Sequence, residues 1–562
     1  MDKRSIIGFV LIMVILIIWS NFFLVPPEPP EQVADSTMTE QVADIMPERF
    51  DEPETKPTSI APTDTSISIS DEPEKVITVE TEKAIYTLSS RGGTVTQIIL
   101  KDYLKYDSLQ VSLISIPEDP EWASYGGLTL GYADNMPEFN NINFKVDGGD
   151  RYFSEAEPTG SVNFTYLSVD GAEIVKTYNF DYSSFIFDLG IDIKMPHKLV
   201  MGQGVTIGWF APMDPTEINI DDDKRKLGGF FSMGGDFDYF DDFDDGKLRN
   251  IVTGPTDWVA TRTKYFTVAL MAKTSPAQEV IVVGDQTSIV DIKGETKQWN
   301  RFGTGMTYTS PPEVLSLDFS VYTGPLDYYA LKNIDGDLSP LVEMGWKPFK
   351  PFSIAILWVF TWLYSFIPNY GFVIIIFSIL MKLVFWPLSI KSAKSMHSMK
   401  KLQPLLQELK AKYKDEPSKL QQETMKLYKE RGVNPFGACL PMLVQLPIFW
   451  ALYSVLGNTI ALRGADFIFW LNDLSRPDPS GQWIPFGIGI LPIIMGVSMF
   501  IQQKITITDP KQKMMVYFMP LIFTFLFSKW ASGLVLYWTM FNIMGIFEQL
   551  FVKHKTDNEK TA

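Results

Sequence analysis

Residues 370–388 form an apolar run broken by a single charge, Lys382, and no other stretch constrains the fold as tightly. A run of this length is close to the ~20 residues that carry a helix across the hydrocarbon core of a bilayer. An ammonium near the bilayer interior costs about 2.5–3.5 kcal/mol even on insertion-based scales, so such a lysine has a task or a partner. Two placements meet that demand. Either the side chain faces a wet interior, or it snorkels to the cytoplasmic headgroups, since six residues rise only about 9 Å along a helix.

Further apolar segments cover residues 351–367, 436–456, 484–501, 514–527 and 534–552. Charge fixes their topology. The stretch between residues 389 and 435 holds eleven Lys and Arg against five acids, and positive loops stay in the cytoplasm. Residues 457–483 hold only Arg463 and Arg476, with three aspartates, whereas 502–513 hold Lys504, Lys511 and Lys513. Lys529, in the last outer turn, is the dissenter. With Lys3 and Arg4 holding the N-terminus inside, parity requires one span, not two, between an exported domain and residue 390. Residues 351–367, with Trp358, Trp362 and Tyr364, therefore lie along the outer interface. The count is six spans with both termini cytoplasmic.

The first span is an N-terminal anchor at residues 1–25, which ends without a small-residue cleavage site. Residues 26–75 are rich in Pro, Glu, Thr and Ser and read as a disordered linker. From 76 to 339 the period changes to two. Val162, Phe164 and Tyr166 alternate with polar residues, Asp170-Gly171 marks a turn, and Ile174, Lys176 and Tyr178 follow. An exported β-sandwich is the expectation. Charge separates this part from the rest. Residues 346–562 carry 23 Lys and Arg against 12 acids, so the chain's net −17 leaves −28 for residues 1–345. The aspartates between Asp236 and Asp245 lack the ligand spacing of a calcium loop and read as a solvated excursion.

Within the basic cytoplasmic stretch, Leu402, Leu405, Leu406, Leu409 and Tyr413 recur at helical spacing, and Leu420, Leu427 and Tyr428 run toward Gly432. Residues 390–434 are expected to form a helical hairpin. It is either a solvated connector or a docking surface for anionic lipid or a partner. The lone Cys439 forms no intramolecular disulfide and reads as a small buried hydrophobe.

Four stretches carry a family resemblance: Asn369-Tyr370-Gly371-Phe372, Trp386-Pro387-Leu388-Ser389, Asn434-Pro435-Phe436-Gly437 through Gln445-Leu446-Pro447, and Ser532-Gly533-Leu534 through Tyr537-Trp538. Together they resemble the YidC membrane-protein insertases of the Oxa/Alb superfamily. The likeness is dense over residues 345–552, with an exported domain of the Gram-negative type. It implies a polytopic α-helical core of five spans (370–552) around a hydrophilic groove, preceded by an interfacial helix (340–369) and followed by a short tail (553–562). It also implies nascent membrane proteins as substrates, with the Sec translocon and ribosome–nascent-chain complexes as partners. In that family a cation, most often Arg, sits in the groove; here the matching residue is Lys382, which keeps the charge but loses the bidentate fork.

The residues are consistent with a groove. Ser378 and Trp386 share a face with Lys382, and Trp538, Asn542, Gly545 and Gln549 form a stripe on the last span, with Tyr537 alongside. Gln445 and Thr524 add polar groups from two further spans. For each of these, a helix–helix hydrogen bond in a packed bundle is the plainer account. Glu548, the one acid within these spans, is the available partner for Lys382. The expected mechanism leaves Lys382 open, drawing in the acidic outer segment of a nascent hairpin. No cofactor, metal or nucleic acid enters this reading. An enzyme lacks its residues here: His197, His397 and His554 fall outside the spans, and no phosphate loop is encoded. A small-solute transporter is the rival, and would require repeated halves that the core lacks.

Overall fold

The computed structural model describes residues 73–114, 122, 127–132, 138–168, 171–194, 204–309, 314–414, 416–432, 440–506 and 513–561. The expected anchor, nearly all of the linker, and the stretch 433–439 with Cys439 lie outside the described residues. The chain divides into two compact units, residues 1–66 with 509–514, and residues 67–508 with 515–562. All side chains discussed below belong to the second.

Alternating burial builds two β-sheets. The smaller runs Gln110–Ser112, Thr94–Leu104, Ala84–Ser89, Val76–Glu80 and Arg151–Tyr152 from edge to edge. The larger has thirteen strands, with Ala277–Val290 and Thr296–Tyr308 near one end and Thr159–Leu167 and Glu173–Asp181 near the other. Ile77, Val79 and Tyr86 of the smaller sheet share one buried core with Phe164, Tyr178, Leu189 and Val321 of the larger. Tyr86 Oη and Thr323 Oγ1 meet across it at 3.1 Å. The hairpin read from alternation is present in register: Val162 faces Tyr178, Phe164 faces Lys176 and Tyr166 faces Ile174. Lys176 points inward and is fully buried, donating to the Gly92 carbonyl at 2.7 Å. Gly92 and Gly93 turn with positive φ of 74° and 53°, which glycine adopts at little cost. Asp236–Phe240 pairs with Gly229–Met233 as a hairpin whose Asp236 and Asp238 are exposed.

Seven longer helices follow: α1 (Lys350–Tyr364), α2 (Tyr370–Lys412), α3 (Pro417–Glu430), α4 (Leu440–Asn458), α5 (Ile490–Thr506), α6 (Lys513–Phe527) and α7 (Ser532–Thr561). Helix α1 buries Ile356, Leu357, Phe360 and Leu363 and exposes Phe352, Trp358 and Trp362, the amphipathy of a helix lying on an apolar boundary. Asn369 caps α2, its Oδ1 accepting from Phe372 N at 3.2 Å.

Two expectations change. The apolar run and the first arm of the cytoplasmic hairpin are one helix of 43 residues, because the sequence passes from apolar to amphipathic without a helix stop. Pro387 and Pro404 lie inside it. The expected tail is likewise helical, as α7 runs on to Thr561. Among the described residues two stretches are long and apolar enough to cross a membrane, Tyr370–Ser392 and Ser532–Phe551. Lys350–Tyr364, Ile490–Ile505 and Val516–Phe527 are apolar but shorter. Fifteen residues of helix rise only about 22 Å, against ~30 Å of hydrocarbon.

The β-sheets and the helices are joined by a second core that runs from Trp258, Ala260 and Tyr322 through Leu331 and Leu341 to Phe360, Leu452 and Val455. A polar joint completes it. Glu217 accepts from Arg463 Nε at 2.6 Å and from Arg476 Nη2 at 3.1 Å, while Tyr265 Oη donates to the Gly457 carbonyl at 3.1 Å. Asp223 organises the Glu217 backbone, its carboxylate accepting from the amides of Thr216, Glu217 and Lys264.

Candidate functional site

Lys382 leaves α2 on the side away from its exposed neighbours Leu383 and Val384, and this orientation decides its environment. The ammonium lies 2.8 Å from Glu548 Oε2 on α7, with the two side chains only 8% and 7% exposed. It also sits 4.6 Å from the centroid of the Phe541 ring. Phe541, Gly545 and Glu548 recur at i, i+4 and i+7, so one face of α7 presents ring, notch and carboxylate to the lysine. Gly545 supplies the space. A Cβ there would stand 3.5 Å from Lys382 Nζ and 2.3 Å from Gln502 Nε2 of α5.

Neither placement expected for the cation holds. Lys382 is not an open charge in a wet interior, because Glu548 clasps it, and it does not snorkel, because its side chain is enclosed by α2 and α7. The physical reason is desolvation. Either ion alone in this interior would cost several kcal/mol, and the pair with a 2.8 Å contact offsets most of that.

The other residues of the expected groove divide into separate groups. Asn542 is buried on α7 and donates to Ser498 Oγ of α5 at 3.2 Å, one turn of α5 from Gln502. Gln445 donates to Tyr537 Oη at 2.7 Å, a pairing between α4 and α7. Thr524 returns its proton to the Pro520 carbonyl of its own helix at 2.8 Å and lies against Gly496. Ser378, fully buried, likewise donates to the Ile374 carbonyl at 2.7 Å. Trp538 packs among Phe449 and Phe527, with ring centroids 5.3 and 5.7 Å away. The indole nitrogen of Trp538 and Oε1 of Gln549 are buried without a hydrogen-bond partner among the described residues. A polar seam therefore follows α7, with Lys382, Glu548, Gln502, Asn542 and Ser498 brought together and Ser378, Gln445 and Thr524 satisfied elsewhere.

Ser498, Gln502 and Phe541 were absent from the sequence reading. The signal for the first two was present, since Ser498 and Gln502 stand four apart on an otherwise apolar helix.

Two family models match the chain. One described as the YidC periplasmic domain covers residues 76–358, and one described as 60Kd inner membrane protein covers residues 362–560. The chain is 32% identical over 589 residues to the membrane protein insertase YidC of Chlorobium luteolum, covering 98% of this chain and 95% of the relative. It is 34% identical over 578 residues to the protein of the same name from Prosthecochloris aestuarii, covering 98% and 94%. A solved structure titled as an active YidC insertase with the first transmembrane domain resolved overlays 86% of this chain and 93% of its own. The TM-score is 0.36 and the identity 21%, too loose a superposition for geometric transfer.

Proposed function

The chain belongs to the YidC family of membrane protein insertases, bacterial inner-membrane proteins with a periplasmic domain, and we propose that its working element is the polar seam between α2 and α7. Its substrates are nascent membrane proteins. The observation that carries the proposal is the buried Lys382–Glu548 pair, which joins the two helices long and apolar enough to span the membrane.

The pair works as a clasp. A nascent hairpin arrives from the cytoplasm with a short acidic or polar outer segment, and its carboxylate competes with Glu548 for the ammonium. At reduced dielectric the exchange of one carboxylate for another is close to balanced, whereas transfer of that carboxylate into lipid is not. Asn542, Ser498 and Gln502 offer hydrogen bonds to the passing backbone, lowering the barrier lipid would impose. Once α2 and α7 part, the apolar segment slides between them and gains transfer free energy.

This reading keeps the six-span topology with both termini in the cytoplasm and residues 26–369 on the periplasmic side. It also keeps the division into anchor, linker, β-sandwich, interfacial helix, five-span core and tail. It assigns the chain no reaction and no cofactor, and names the Sec translocon and ribosome–nascent-chain complexes as partners.

The test is insertion of a single-span substrate with a short acidic outer segment in cells depleted of the native protein. Lys382→Leu should fail to rescue, whereas Glu548→Gln, which frees the ammonium, should retain rescue. Equal rescue by Lys382→Leu and the unaltered chain sinks the clasp.

A further inference from the structure

The loop joining α4 to α5, residues 459–489, has its polar and apolar residues reversed. Asp473, Ser475, Asp478 and Ser480 are buried and fully engaged within the fold. Asp478 Oδ2 accepts from Leu491 N at 2.7 Å, and Asp473 Oδ1 from Ser475 N at 2.9 Å. Outside stand Phe469, 88% exposed, Trp483, 68% exposed, and Phe486, 91% exposed. A loop folded against water does the opposite.

The backbone adds a second, independent observation. Phe469 and Phe486 have φ of 60° and 69°, a left-handed conformation that is uncommon for bulky residues. Two aromatic rings are thus held outward on strained backbone where Gly or Asn would be relaxed. Strain of this kind persists where the surroundings reward it.

The position of the loop identifies those surroundings. Asn369 Nδ2, at the start of α2, donates to the Asp466 carbonyl at 3.1 Å, and Phe467 packs edge-on to Phe372 at 5.3 Å. The loop therefore sits level with the end of the helix that crosses the membrane, beside the exposed rings of α1. Arg463 and Arg476 bond Glu217 of the periplasmic domain, which fixes the side. Asp466 and Gln482 remain exposed, as at a headgroup layer and not in hydrocarbon.

We propose that Phe469, Trp483 and Phe486 are anchors seated in the headgroup–acyl boundary of the periplasmic leaflet, so that this loop is a membrane-binding surface and not a water-exposed connector. It rests on the membrane placement of α2 and not on the role of Lys382. The anchors hold the outer ends of α4 and α5 at a fixed depth while α2 and α7 move.

The experiment uses the full chain in lipid nanodiscs. A nitroxide at Phe486→Cys, in a Cys439→Ser background, is compared with labels at Trp362→Cys on α1 and Leu109→Cys on the β-sheets. Collision with oxygen should exceed collision with a water-soluble nickel chelate at 486 and 362, and the order should reverse at 109. A nickel-accessible label at 486 overturns the proposal. So does line broadening that disappears on dilution with unlabelled protein, since a second copy then covers the patch. A conservative variant guards against a folding defect: Trp483→Phe should remove a measurable share of the tryptophan emission quenched by lipids brominated near the headgroup. No change in the quenched share overturns the assignment as well.

Discussion

Arg463 and Glu217 lie 246 residues apart in sequence and meet at 2.6 Å, with side chains 8% and 5% exposed. Arg476 shares the same carboxylate from a more open position. The contact explains two arginines on the side of the membrane where basic residues are scarce: they bind the helical core to the acidic periplasmic domain. Removing one partner of a buried pair strands the other charge, at about 3–5 kcal/mol. Glu217→Ala should therefore lower the thermal midpoint of the full chain in detergent clearly, and Glu217→Ala with Arg463→Ala should lower it less than the sum of the singles. Additive losses would mean the contact carries no coupling energy.

Gly371 makes a different demand. A Cβ at this position would stand 1.9 Å from Cδ2 of Phe467, inside the contact that holds the outer loop against α2. Gly371→Ala forces the ring aside, and overpacking of this kind costs about 1–3 kcal/mol. Phe467→Leu in the same chain should restore part of the loss. Thermal unfolding of the two variants checks this, and an unchanged midpoint for Gly371→Ala would show that the loop yields freely.

What the sequence disclosed and what it hid follow from the range of the interactions. Val162 to Tyr178 was legible because period two acts within a strand and a turn. Lys382 stood out because charge in an apolar run needs only local reading, and Glu548 was visible as its one acidic candidate. Whether they meet depends on the rotation of α2 against α7, which no local pattern encodes. Ser498 and Gln502 were missed for the same reason, as their value comes from facing Asn542 and Gly545. Lys176 looked like a polar member of an alternating strand, yet its side chain faces inward with its apolar neighbours. The Glu217–Arg463 joint had no sequence signature at all.

Lys176 gives the chain a pH response. Its ammonium has only the Gly92 carbonyl at 2.7 Å and the Phe144 ring at 5.3 Å, and burial pushes its pKa down from 10.5 to about 7. A lysine with a depressed folded pKa contributes stability that is complete above its unfolded pKa and lost as pH falls to the folded one. The window thus runs from about 10.5 down to about 7, and below it the penalty is constant. Relative to Lys176→Met, the unaltered chain should gain stability between pH 7 and pH 9.5. Urea unfolding at both pH values measures the difference, and taking it against the variant cancels the groups common to both chains. A difference that stays flat with pH would place Lys176 among ordinary, hydrated amines.

Stability and transport can be separated at the Lys382–Glu548 clasp. Lys382→Leu alone leaves Glu548 buried without its cation, and Glu548→Leu alone does the reverse, so each should destabilise by about 3–5 kcal/mol. Replacing a buried pair with apolar side chains of similar volume is often neutral or stabilising, so Lys382→Met with Glu548→Leu should recover the melting temperature of the native chain. If the clasp serves only packing, insertion should recover with it. If the ammonium is what a substrate carboxylate exchanges onto, the double variant should be stable and inactive toward substrates with an acidic outer segment, while substrates with an uncharged one still insert. A double variant that melts like the native chain and inserts both substrates equally well would remove Lys382 from the mechanism and leave it a structural charge.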